Sequence, residues 1–155
     1  MTAAVVVTMA IPASAGTITS SFAAGVLTVN GTSGDDSIHV DCVGNNVVIN
    51  TFNPDTGAVL CSDVVSIKIS AAGGNDLVSI FFDDVSAPSL DSITVNGGVG
   101  SDTINGGKFG DTLKGGRGMD FLMGNDGNDI LNGGTGVDGC NGGPGVDIRR
   151  NCEKH

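Results

Sequence analysis

The sequence predicts an all-β solenoid of stacked short strands, and three observations lead there. Glycine makes up 26 of the 155 residues, about 17% against an ordinary ~7%, with no collagen-like three-residue period. Trp and Tyr are absent and long helix formers are few, which argues against a helical bundle. From Gly97 onward the chain falls into an uninterrupted nine-residue period. The length suits one domain or two small ones. Leu, Ile, Val and Phe total 42 residues, or 27%, above the ~20% below which chains tend to stay disordered, so the chain can fold.

The charge balance directs attention to cations. Seventeen acids face seven bases, for a net charge of −10, which disfavours nucleic acid and anionic membranes as partners. Sixteen of the acids are Asp, and Glu153 is the sole Glu. A short carboxylate on a turn can reach an ion beside main-chain carbonyls, whereas Glu is more at home on helix surfaces.

The N-terminal stretch Met1–Ala15 is an apolar run ending in Ala13-Ser14-Ala15, the pattern of a secretory signal peptide without its usual leading Lys or Arg. The alternative is a first buried strand. No later stretch approaches the ~18 apolar residues of a membrane span. Residues 16–96 are expected to form a β-solenoid-like segment with larger, irregular turns and a hairpin insertion. Cys42 and Cys61 flank that hairpin, with arms Val47–Phe52 and Ala58–Leu60 about the turn Asn53–Gly57. Cys140 and Cys152 bracket the C-terminal end. Four cysteines allow three pairings, of which 42–61 with 140–152 closes the shortest loops. An even, locally paired set agrees with export and an extracellular location. A zinc site is the weaker reading, since no Cys-x-x-Cys occurs and the histidines are His39 and His155.

Three windows before and at the start of the period share a strand, a glycine turn, an Asp and an aliphatic residue. They are Val29–Ile38, Ile69–Val78 and Val95–Ile104, entered by the alternating strands Leu27–Val29, Ile67–Ile69 and Ile93–Val95. Read as larger solenoid turns, they stack Asp36, Asp76 and Asp102 into a column, with fewer loop positions suited to a cation. Read otherwise, they are antiparallel hairpins with glycine turns.

The period itself comprises GGVGSDTIN (97–105), GGKFGDTLK (106–114), GGRGMDFLM (115–123), GNDGNDILN (124–132), GGTGVDGCN (133–141) and GGPGVDIRR (142–150). Asp holds the sixth position throughout: Asp102, Asp111, Asp120, Asp129, Asp138 and Asp147. The eighth reads Ile104, Leu113, Leu122, Leu131, Cys140 and Arg149. Glycines at positions one, two and four permit a tight loop with its carbonyls turned to one side, which the Asp closes. The last three residues make a short strand with one inward side chain, too little to bury alone, so units must stack. Stacking brings equivalent carboxylates within about 5 Å, where they repel by roughly 3 kcal/mol at an effective dielectric of 20. A hard divalent cation held by carboxylates and carbonyls relieves that repulsion, and oxygen-only ligands favour calcium over zinc or copper.

These six units resemble the G-G-x-G-x-D-x-U-x nonapeptide of repeats-in-toxin (RTX, hemolysin-type calcium-binding) proteins. The resemblance covers residues 97–150. It implies a parallel β-roll with alternate units on opposite sheets and several Ca2+ ions between successive loops. Asp102, Asp120 and Asp138 would then line one edge, and Asp111, Asp129 and Asp147 the other. Loop geometry and carbonyl ligands would come from the first-position Gly97, Gly106, Gly115, Gly124 and Gly133. The second-position Gly98, Gly107, Gly116 and Gly134, and the fourth-position Gly100, Gly118, Gly127 and Gly136, would contribute in the same way. Three departures stand out: Phe109 at a fourth position, with Gly110 offering a turn displaced by one; Asn125 at a second position; and Pro144 with Arg149 in the last unit. That last unit reads as a cap that binds metal poorly, and residues 151–155 as a C-terminal cap.

Elsewhere the acids read as solvated turn residues: Asp83, Asp84 and Asp91 around Pro88, and Asp126 beside Asn128. His39 reads as a surface residue, and Lys108, Lys114 and Arg117 as offsets to the acidic field. A catalytic role is not expected, because residues 16–96 are short for a catalytic domain and contain no Gly-x-Ser-x-Gly. The expected function is a secreted calcium-binding protein ordered by its ions. The rival is an adhesive or surface-interaction module on the same scaffold, or a non-catalytic partner of a secreted enzyme.

Overall fold

The computed structural model describes residues 5–8, 17–50, 59–82 and 87–153. Fourteen strands form two sheets, and a single 3-10 turn, Cys61–Asp63, is the only helical element among the described residues. The first sheet takes β1 (Val5–Thr8), β2 (Thr19–Ala23), β3 (Val26–Asn30), β6 (Ser66–Gly73), β8 (Ser92–Val99), β10 (Asp111–Arg117), β12 (Ile130–Thr135) and β14 (Ile148–Arg150), in that order. The second runs β13 (Gly139–Asn141), β11 (Phe121–Asn125), β9 (Thr103–Gly107), β7 (Leu77–Phe81), β4 (Ser37–Val43) and β5 (Asn46–Ile49).

From β6 onward successive strands alternate between the sheets, and each pairs in parallel with the strand two places on. One circuit of the repeat therefore takes two nonapeptides. Among the described strands, antiparallel pairs are β1–β2, β2–β3 and β4–β5, so both sheets are mixed. The three upstream windows enter the same parallel ladders: Ile38 faces Val78, and Val78 faces Ile104.

Differences from expectation are local. The hairpin near the first cysteines turns at Gly44-Asn45, both left-handed (φ 57° and 70°), and pairs β5 with β4. The expected turn at 53–57 lies outside the described residues, although Leu60 still bridges Asn46. The repeat strands β9 to β12 run longer than three residues because glycines of the next unit stay in the ladder, as in Gly116 opposite Gly98 and Gly134, whereas β13 and β14 keep three. The export reading of 1–15 falls largely outside the described residues. Within it, Val5–Thr8 lies antiparallel to β2.

The core is a file of aliphatic side chains between the sheets. Eighth-position Ile104, Leu113, Leu122 and Leu131 are fully buried, extending Val29, Ile69 and Val95 in one sheet and Ile38 and Val78 in the other. Disulfides join Cys42 to Cys61 and Cys140 to Cys152, with Cα separations of 6.0 and 5.7 Å, the shortest-loop pairing. Among the described residues no helix is long and apolar enough to cross a membrane.

Candidate metal centre

Parallel stacking places the sixth-position residues in two columns, one on each edge. On the first, the main-chain N–H of each Asp donates to Oδ1 of the next: Asp36 to Asp76 (2.8 Å), Asp76 to Asp102 (2.9 Å), Asp102 to Asp120 (2.8 Å) and Asp120 to Asp138 (2.9 Å). On the second, Asp111 donates to Asp129 (2.8 Å) and Asp129 to Asp147 (3.1 Å). In the fold one oxygen of each accepting rung is tied to its neighbour's backbone.

The other oxygen is not. Oδ2 of Asp76, Asp102, Asp120, Asp129 and Asp138, and both oxygens of Asp111, are buried without a hydrogen-bond partner. Such groups are costly to bury alone. Burial is accordingly the leading cause that raises these carboxyls: Asp76 from 3.8 to about 6 and Asp111 to about 8, with Asp102, Asp120 and Asp129 also pushed upward. Neighbouring carboxylates add to the rise at Asp76, Asp111, Asp120 and Asp129, while the backbone N–H donated by the preceding rung opposes it at all but Asp111.

The space these oxygens face is set by the first-position glycines. A β-carbon on Gly97, Gly106 or Gly124 would collide with Oδ2 of Asp102, Asp111 or Asp129 and lie 2.7–3.2 Å from the carbonyl oxygen of Gly115, Gly124 or Gly142. A carboxylate oxygen and a carbonyl oxygen therefore converge beside each of these glycines, in a cradle that any side chain would fill. The fourth position is constrained by close approach: Gly118 has φ 134°, and a β-carbon there would overlap the carbonyl of Gly100 one turn before. No three Asp, Glu, His or Cys side chains converge among the described residues, so a cation here must rely on carbonyls as well as carboxylates. Oxygen-only donors of this kind suit a hard ion.

The departures from the pattern resolve individually. Asn125 takes the second-position glycine's left-handed conformation, φ 73°, which Asn tolerates. Phe109 packs against the core, and neither it nor Gly110 adopts a positive φ. The turn is therefore not displaced, and β10 keeps its register. In the last unit Asp147 is only partly buried and Arg149 is exposed.

Asp36 differs from the rungs above it. Its carboxylate accepts the N–H of Thr32 at 2.6 Å and the Thr32 hydroxyl at 3.1–3.2 Å. Asp91 and Asp126 are exposed, whereas Asp83 and Asp84 lie outside the described residues. His39 is partly exposed and stands 3.9 Å from Asp41. Lys108, Lys114 and Arg117 are exposed.

Two features escaped the sequence reading. Fifth-position side chains form a second, outer ladder in which Asn75 N–H donates to Asp35 and Ser101 N–H to Asn75. Their common offset, one residue before the Asp, was the available signal. The other is Glu153, whose carboxylate accepts the N–H of Asp138 while its own N–H donates to the Asp138 carbonyl at 2.8 Å.

Residues 94–113 and 114–148 match the family model of the RTX calcium-binding nonapeptide repeat, in four copies. The chain thus carries an RTX repeat array over about a third of its length. No curated protein and no solved structure matches the chain.

Proposed function

We propose that this is a secreted calcium-binding protein whose repeat array is an RTX-type β-roll ordered by Ca2+. The observation that carries the reading is the file of buried carboxylate oxygens without partners, those of Asp102, Asp111, Asp129 and Asp138 each beside a main-chain carbonyl. Asp102, Asp120 and Asp138 with the Gly97, Gly115 and Gly133 loops would hold ions on one edge. Asp111 and Asp129 with the Gly106 and Gly124 loops would do so on the other. Bound calcium would supply the positive charge that offsets these carboxylates, and folding of the array is coupled to binding. The role is ion binding rather than catalysis. Export is supported by the apolar N-terminal run and by two disulfides.

Calorimetric titration of the chelator-treated chain with calcium chloride tests this, with circular dichroism following β-structure. Uptake of several ions with a gain of β signal is expected, and no uptake at millimolar calcium rejects the proposal. Asp120→Ala and Asp129→Ala should weaken binding more than Asp147→Ala, because each sits between two rungs while Asp147 ends its column. The reverse order would remove the capping assignment.

The adhesive alternative draws on the outer face of the second sheet, where Leu77, Phe81 and Phe121 are exposed. Calcium-dependent binding to cells would favour it.

A further inference from the structure

The acid column on the first edge does not end with the repeat. Interior rungs receive two bonds from the next turn: its Asp carboxylate accepts their N–H, and the following residue donates to their carbonyl, as Asp120 and Phe121 do for Asp102. At Asp138 both bonds come from Glu153. Glu153 stands fifteen residues on, where the repeat spaces its rungs by eighteen.

The carbonyl side of the cradle is rebuilt as well. A β-carbon on Gly133 would meet the carbonyl oxygen of Asn151 and Oδ2 of Asp138, the pairing that Gly97 shows with Gly115 and Asp102. Asn151 follows Gly133 by eighteen residues and stands where a seventh unit would begin. Asp138 is 1% exposed and its Oδ2 has no partner, so this oxygen points into the cradle with nothing to satisfy it. The Cys140–Cys152 disulfide fastens the tail in place between Asn151 and Glu153. Arg149 lines a hollow with Cys140, Cys152 and Glu153, and does not pair with Glu153.

We propose that residues 151–153 complete a terminal calcium site beyond the nonapeptide array. Asp138 Oδ2, the Asn151 carbonyl and the Glu153 carboxylate are its donors, and the disulfide is its clamp. The proposal rests on the calcium reading above. A tail that supplied only a hydrogen-bonding cap would not need a charge at 153. A site does.

Glu153→Gln isolates the charge, since the amide oxygen can still accept the Asp138 N–H. The full-length wild type and variant are titrated with calcium chloride by calorimetry. The variant should bind one ion fewer, or bind one ion about 10- to 100-fold more weakly, with the other sites unchanged. Cys140→Ser/Cys152→Ser should weaken the same site. Combining it with Glu153→Gln should add little. If the wild type takes up no calcium, the general reading fails. If wild type and Glu153→Gln bind the same ions with equal affinity, only the terminal site is overturned, even where the variant melts earlier. Should the variant not fold, wild-type NMR decides: the Asp138, Asn151 and Glu153 amides should share one calcium-dependent transition, and amides that stay fixed at saturation would refute the site.

Discussion

In the first sheet, the column that begins Leu27, Ile67 and Ile93 continues as Asp111, Asp129 and Asp147. The same position in the same ladder is apolar in one half of the molecule and acidic in the other. Among the described residues, twenty of the 24 buried apolar side chains precede Gly97 and four lie in the array, while five of the seven buried acids lie in the array. An inward Leu contributes about 1.5–3 kcal/mol. Ordering nine residues costs ~1–2 kcal/mol each in backbone entropy alone. Apolar burial therefore offsets a much smaller share of this cost in the repeats than in the N-terminal half. The shared lattice teaches that parallel stacking leaves open what fills the column, and under the proposed calcium reading the acidic filling adds an external requirement, the ion.

Calcium removal is the largest test of this contrast. Each ion at about 100 times its Kd stabilises the folded state by about 2.7 kcal/mol, so losing several should exceed the stability of the array. Hydrogen exchange with chelator should lose protection across β9–β14 and retain it in β3, β4 and β6. Uniform loss would mean that the halves fold as one unit, and uniform retention would mean that the ions are not needed.

Acidity should divide the two states in opposite directions. The buried carboxyls are raised from 3.8, to about 6 at Asp76 and about 8 at Asp111, chiefly by burial. Without calcium the folded chain therefore holds protons more tightly than the unfolded one, and its stability is full below the unfolded value and falls as pH rises through the raised values. With calcium, protons compete for the same oxygens and stability rises with pH. Melting temperatures of the two forms should lie close near pH 4 and separate progressively up to about pH 8. Parallel curves would break the link between the acid columns and the metal.

Asp111 marks the junction, with Ile93 before it and Asp129 after it. It is 1% exposed, and neither of its carboxylate oxygens has a partner. Asp111→Leu would carry the apolar ladder one rung further. Thermal melts without calcium should show stabilisation by about 1–3 kcal/mol, the cost of leaving a buried polar group without a partner. The same variant should bind fewer ions. Destabilisation without calcium would mean that the carboxylate is not the burden assigned to it.

Much of this was legible because the period fixes the phase. Once Asp sits at every sixth position, the inward Ile104, Leu113, Leu122 and Leu131 and the two acid columns follow from stacking alone, and the weaker windows at Asp36 and Asp76 fall into the same file. What lay hidden lacks that phase. Glu153 comes three residues before the place a seventh Asp would take, and only a long side chain anchored by the Cys140–Cys152 disulfide brings it to the rung. The bonds from N–H to Oδ1 were invisible for another reason: they depend on the tilt of each carboxylate, which spacing does not carry. Gly44-Asn45 was a readable hairpin signal, overshadowed by the longer Pro- and Gly-containing turn that follows.

The two ends of the first column offer the smallest test and the most selective one. At the C-terminal end Asp138 keeps an unpartnered oxygen, whereas at the N-terminal end Thr32 donates both its N–H and its hydroxyl to Asp36. A rung satisfied by a hydroxyl has less need of an ion. Thr32→Val keeps the shape and removes the hydroxyl, so it should cost about 1 kcal/mol, or about 2–4 °C in melting temperature. Because the effect belongs to the chain and not to the metal, it should be equal with calcium and with chelator. A cost that vanished on adding calcium would show that the ion can replace the hydroxyl, and that the N-terminal rung belongs with the repeats after all.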